Sequence, residues 1–102
     1  MKGIKTIIKA DGSLVTEGKL EPVGLEELQA AVGGFIETVP NFETYLGKKA
    51  VAFCNEEGKI NGLSINEQAT RFWRYAAPAG FADVLVGDVV ILTGDDEFME
   101  AV

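Results

Sequence analysis

The chain of 102 residues contains no histidine. That absence removes the Ser-His-Asp and Cys-His nucleophile arrangements, which need an imidazole to carry the proton. It also removes the usual catalytic zinc sites. There is one cysteine, Cys54, so no intrachain disulfide can form and no structural zinc site can be built. Cys54 reads as a small buried hydrophobe, and the lack of disulfides points to the cytoplasm. The uncharged apolar stretches reach roughly ten residues, too short to span a bilayer. The opening MKGIKTIIKADG has a lysine inside its apolar run and no small-residue cleavage site, so it reads as a strand rather than a signal peptide. No phosphate-cradling loop is present: Gly33-Gly34 lacks the required spacing and precedes a strand. Basic residues are scarce, nine against sixteen acidic ones, for a net charge of −7. A nucleic-acid polymer or an acidic membrane surface is therefore not an expected partner, since both demand cations.

What is present describes one globular domain. Hydrophobic residues make up 47% and charged residues 25% of the chain, close to the globular average. Residues 1–94 read as a single α+β domain and 95–102 as an acidic tail. Ile4 to Lys9 alternates as a strand, Asp11-Gly12 is a hairpin signal, and Leu14 to Leu20 is the return strand. Leu25 to Val32 predicts a helix, with Leu25, Leu28 and Val32 on one face and Gly33 stopping it. Phe35 to Val39 is a strand ended by Pro40, and Asn41 to Lys49 a loop. Ala50 to Cys54 is an apolar strand, and a turn at 55–58 leads into Lys59 to Leu63. Ser64 to Glu67 matches a capping box that opens a helix running to about Tyr75. Ile65, Ala69, Phe72 and Trp73 form its expected buried face. Residues 76–80 read as a loop around Pro78. Val84 to Val86 and Val89 to Leu92 read as the last strands, or as one strand with a bulge at Gly87-Asp88. The order β-β-α-β-β-α-β predicts a small, mostly antiparallel sheet with two helices packed on one face.

Four segments together carry a resemblance: Gly33-Gly34-Phe35-Ile36-Glu37, Asn55-Glu56-Glu57-Gly58-Lys59, Gly62-Leu63 with Asn66 and Ala69-Thr70, and Gly87-Asp88 before an apolar strand. In this order and spacing the chain resembles the domain-of-unknown-function family numbered 3846, over roughly Leu25 to Gly94. Members of that family often carry proline where this chain has Ser64. The resemblance brings no established activity. It implies a setting, a small accessory protein of a phage or mobile element acting in the host cytoplasm, where such proteins often blunt host defence.

Chemistry-bearing residues are few. The two arginines, Arg71 and Arg74, lie three apart on the second predicted helix, beside Trp73 and Tyr75. Guanidinium pairs recognise phosphate and carboxylate bidentately, and aromatic rings stack on bases. The competing reading pairs Arg71 with Glu67 at i,i+4 and leaves Trp73 in the core. Asn55, Asn61 and Asn66 offer amides to a base, although asparagine in turns usually bonds its own backbone. Glu37 and Asp88 flank strands and are candidates for a catalytic carboxylate pair, or for outward-facing strand positions. Glu56-Glu57 and Asp95-Asp96-Glu97 read as solvated turns rather than metal sites, as no calcium-loop spacing is present. The candidate ligand-binding set is Arg71, Arg74, Asn55, Asn66, Trp73 and Glu37, with no catalytic residue, metal or cofactor expected. The function expected from it is non-catalytic capture of a small anionic, nucleotide-like ligand, by a homo-oligomer whose subunits help enclose it. An acidic protein-binding inhibitor or DNA mimic, and a carboxylate- and metal-dependent nucleotide hydrolase, are the alternatives.

Overall fold

The computed structural model describes residues 1–76 and 82–102. The loop read around Pro78 falls largely outside the described residues. In chain order the elements are β1 (Gly3–Ile8), β2 (Leu14–Lys19), α1 (Leu25–Val32), β3 (Ile36–Thr38), β4 (Thr44–Tyr45), β5 (Lys48–Lys49), β6 (Val51–Asn55), α2 (Glu67–Ala76), β7 (Val89–Gly94) and α3 (Asp96–Glu100). A five-stranded sheet runs β2-β1-β7-β6-β3 with every pairing antiparallel. The α+β class and the strand-helix order read from the sequence hold.

The helices, however, divide between the two faces of the sheet instead of sharing one. Along β7, Val89 and Ile91 pack with Ala69 and Trp73 of α2, while Val90 and Leu92 pack with Leu28 and Val32 of α1 and with Phe98 of α3. Side chains alternate across a strand, so a strand covered on both sides must be apolar throughout. The run Val89-Val90-Ile91-Leu92 is just that, and all four residues are buried. Strand β6 repeats the pattern, with Ala52 and Cys54 on the α2 face and Val51 and Phe53 on the other.

Local chemistry explains the ends of the elements. Gly33 caps α1 in the left-handed conformation (φ 75°), and its N–H donates to the Gln29 carbonyl. Helix α2 is capped by Asn66, whose side-chain oxygen accepts from the Ala69 N–H at 3.0 Å, not by the capping box headed by Ser64. Ser64-Ile65 instead runs against the chain before β7, through an Ile65–Val86 bridge and a bond from Gly87 N–H to the Ser64 carbonyl. Ile65 is therefore 54% exposed, although the helical period had placed it on the buried face. Lys59 to Leu63 continues the turn at 55–58 as a series of turns, because Gly58 and Gly62 let the chain fold back on itself.

Residues 41–49, read as a loop, contain the β4–β5 hairpin. Its turn residues Leu46 (φ 52°) and Gly47 (φ 79°) are both left-handed, the geometry of a tight two-residue turn. Leucine is a poor residue for that conformation, so the sequence lacked a full two-residue turn signal there. Tyr45 anchors the hairpin edge-to-face on Phe72 of α2, with ring centroids 5.0 Å apart. Residues 95–102 include α3, which Asp95 caps by accepting the Phe98 N–H, and Phe98 is fully buried.

Candidate functional site

Helix α2 presents its polar face beside the chain leading into β7. Arg71, Arg74 and Tyr75 stand at i, i+3 and i+4, so they share one side of the helix. Trp73 is two positions from Arg71, which turns it by roughly 200° into the core. There its indole N–H donates to the Pro40 carbonyl at 2.7 Å. Trp73 is thus a core residue, and the aromatic surface beside the arginines belongs to Tyr75, 88% exposed. Together with Ile65, Glu67, Thr70 and Val84 these side chains line an open groove of about 510 Å³.

The groove has cationic, aromatic and apolar walls. Arg74 reaches the Asp83 carbonyl at 3.4 Å, a long contact. Arg71 makes no ion pair or hydrogen bond among the described residues, and Glu67, one turn earlier, is not paired with it. Thr70 holds the groove floor in place: its hydroxyl accepts the Leu85 N–H at 2.9 Å. Arg71 also borders a second hollow of about 400 Å³ on its other side, formed with Ala10, Asp11, Gly12 and Gln68.

The other candidate residues lie elsewhere. Asn66 is fully buried, and its amide donates to the Ile8 carbonyl at 2.7 Å and the Gly87 carbonyl at 2.8 Å. With its oxygen capping α2, its whole side chain is committed to the fold. Asn55 donates to the Val32 carbonyl at 3.2 Å and accepts the Glu57 N–H at 2.8 Å, a turn-stabilising arrangement. Glu37 is exposed on the β3 edge, opposite Cys54 in the register. Asp88 instead accepts the Ala10 N–H at 3.0 Å beside the β1–β2 turn, so the two carboxylates are not brought together.

The matched family model extends over nearly the whole chain, residues 4–101. The chain belongs to the domain of unknown function 3846 family. The match reaches beyond Leu25 to Gly94, taking in β1, β2 and α3 as well. No curated protein and no solved structure matches the chain.

A further, smaller hollow of about 240 Å³ lies beside Trp73. Glu37, Cys54, Asn55, Glu56, Lys59, Ile60 and Asp83 contribute to its lining. Lys59 and Asp83 form an ion pair at it, and that hydrogen bond holds the Asp83 carboxyl below the usual range. Burial pushes the Cys54 thiol up to about 11, with the Glu37 carboxylate adding to the effect. Such a thiol stays protonated and is a poor nucleophile. Among the described residues no group of three or more histidine, cysteine, aspartate or glutamate side chains is arranged to hold a metal. No helix among them is long and apolar enough to cross a membrane.

The sequence missed Tyr75, Thr70, Ile65 and Val84 as groove residues. Helical spacing from Arg71 would have selected Tyr75 over Trp73. Val84 is brought in only by the tertiary path of the chain before β7.

Proposed function

We propose that the protein is a non-catalytic binding protein that captures a small anionic, nucleotide-like ligand in the groove of Arg71, Arg74 and Tyr75. The observation that carries this reading is the Arg71 guanidinium, unpaired among the described residues, in a groove beside an 88% exposed tyrosine ring. A guanidinium offers a planar fork that matches a phosphate, and Arg74 adds a second cation one turn along. Tyr75, Ile65 and Val84 supply the flat and apolar surface on which a base rests. In the setting that the family suggests, a phage or mobile element, sequestering such a ligand would counter a host defence that depends on it.

Calorimetry and thermal melting against inorganic phosphate and a panel of nucleotides test the proposal. A bound nucleotide raises the melting temperature, by an amount that grows with the logarithm of its excess over the dissociation constant. No heat and no shift with any member of the panel would overturn it. Hydrolysis of a nucleotide in the presence of magnesium, abolished by a chelator, would replace it with the hydrolase reading. Stoichiometric capture of a host protein that is lost at high salt would favour the inhibitor reading instead.

A further inference from the structure

Among the described residues strand β2 is an edge of the sheet, bonded only to β1. It carries apolar side chains in solvent: Leu14 is 49% exposed, Val15 45%, and Leu20, just beyond it, 74%. The bond from Lys9 N–H to the Ser13 carbonyl, which closes the hairpin, decides which backbone groups face outward. Bonding direction alternates along an antiparallel strand, so Val15, Glu17 and Lys19 bond β1. The N–H and C=O groups of Leu14, Thr16 and Gly18 then point away from the sheet. Such a row of unpaired groups is a template for another strand.

Charge selects the occupant. Copies with a net charge of −7 repel one another unless their contact is locally neutral. The β1–β2 surface is neutral: Lys5 meets Glu27 at 2.6 Å and Glu17 at 3.1 Å, while Lys19 meets Glu27 at 3.0 Å and Glu17 at 3.5 Å. An antiparallel pair of β2 strands with its two-fold axis at Gly18 sets Glu17 of each copy across from Lys19 of the other. Those are non-hydrogen-bonded positions, where facing side chains come closest. At Gly18 nothing lies within 4 Å of where a Cβ would stand, so the two backbones can meet there.

We propose that two copies of the chain associate edge to edge through β2, joining their sheets into one continuous sheet. This interface goes beyond ligand capture, since Thr16, Glu17 and Lys19 lie outside the Arg71 groove.

Sedimentation equilibrium and amide hydrogen exchange on the full chain test it. The wild type should sediment at about twice the chain mass of 10.9 kDa, with the Thr16 and Gly18 amides protected. Thr16→Pro removes an outward N–H that β1 does not use, and should halve the mass while circular dichroism stays unchanged. Lys19→Glu and Glu17→Lys should each be monomeric alone, and an equimolar mixture of the two should recover the dimer, because opposite charges again face across the axis. The mixing arm decides the matter even where Thr16→Pro fails to fold. A monomeric wild type would overturn the proposal. So would a dimer that survives both charge reversals, or one whose Thr16 and Gly18 amides exchange freely.

Discussion

Gly3 and Phe98 are in direct contact: a Cβ built on Gly3 would overlap the Phe98 ring at its Cδ1, Cε1 and Cζ atoms. Gly94, the cross-strand partner of Gly3, is equally bare, and a Cβ there would lie 2.6 Å from the same ring. The two glycines make a flat seat in the sheet on which the α3 phenylalanine lies fully buried. Gly3→Ala is expected to destabilise the protein by about 1 to 3 kcal/mol through overpacking. Phe98→Ala should cost about 3 to 5 kcal/mol through the cavity it leaves. Urea titration measures both, and a Gly3→Ala midpoint equal to wild type would refute the contact.

Asn66 ties three segments together through its bonds to Ile8, Gly87 and Ala69. Asn66→Ala leaves two carbonyls and one N–H unsatisfied in the core. The expected loss is about 3 kcal/mol or more, since each buried group left unpaired costs about 1 to 3 kcal/mol. Asn66→Asp should be at least as damaging, because a carboxylate cannot donate to the two carbonyls. A loss below that of an ordinary surface change in chemical denaturation would show the network to be incidental.

Arg71 separates binding from folding. Without an ion pair to lose among the described residues, Arg71→Ala should change stability by no more than about 0.5 kcal/mol. Against a nucleotide that binds the wild type, it should weaken affinity by about 2 kcal/mol or more, as for loss of a charge-assisted bidentate contact. Arg71→Lys keeps the charge but loses the fork, so it should fold normally and bind poorly. Equal calorimetric affinity for all three proteins would remove Arg71 from the site.

The network of Lys5, Glu17, Lys19 and Glu27 has a defined pH signature. Hydrogen bonds from Lys5 and then Lys19 hold the Glu27 carboxyl below its ordinary value, and the hydrogen bond from Lys5 does the same for Glu17. A depressed carboxylate contributes stability above its unfolded value and loses it as pH falls through the folded one. Wild type and Glu27→Gln should therefore differ most in melting temperature at neutral pH. Their curves should converge as pH is lowered past the ordinary glutamate value of 4.5. Burial lowers the Lys5 ammonium, but the Glu27 and Glu17 hydrogen bonds outweigh it and raise the group overall. Its contribution should persist below the ordinary lysine value of 10.5 and disappear as pH rises beyond it. A gap that widens in acid would contradict the pairing.

Elements whose signals are local were legible in the sequence. Helix α1 has both a 3.6-residue apolar period and a glycine stop, and its predicted bounds coincide with the observed ones. The first hairpin follows from Asp11-Gly12 between alternating runs, and the existence of β7 from an unbroken apolar run. The histidine-free composition and the pair of arginines on one helix were equally plain. Tertiary structure decided the rest, because those choices depend on what lies on the far side of a residue. Which face each helix covers, and the hairpin turning on Leu46-Gly47, were settled by long-range packing. So were the choice of Asn66 over Ser64 as the cap, made by two carbonyls distant in sequence, and the bringing of Val84 into the groove beside Arg71. A sequence records periodicity along the chain, but burial is a property of the surfaces that meet across it.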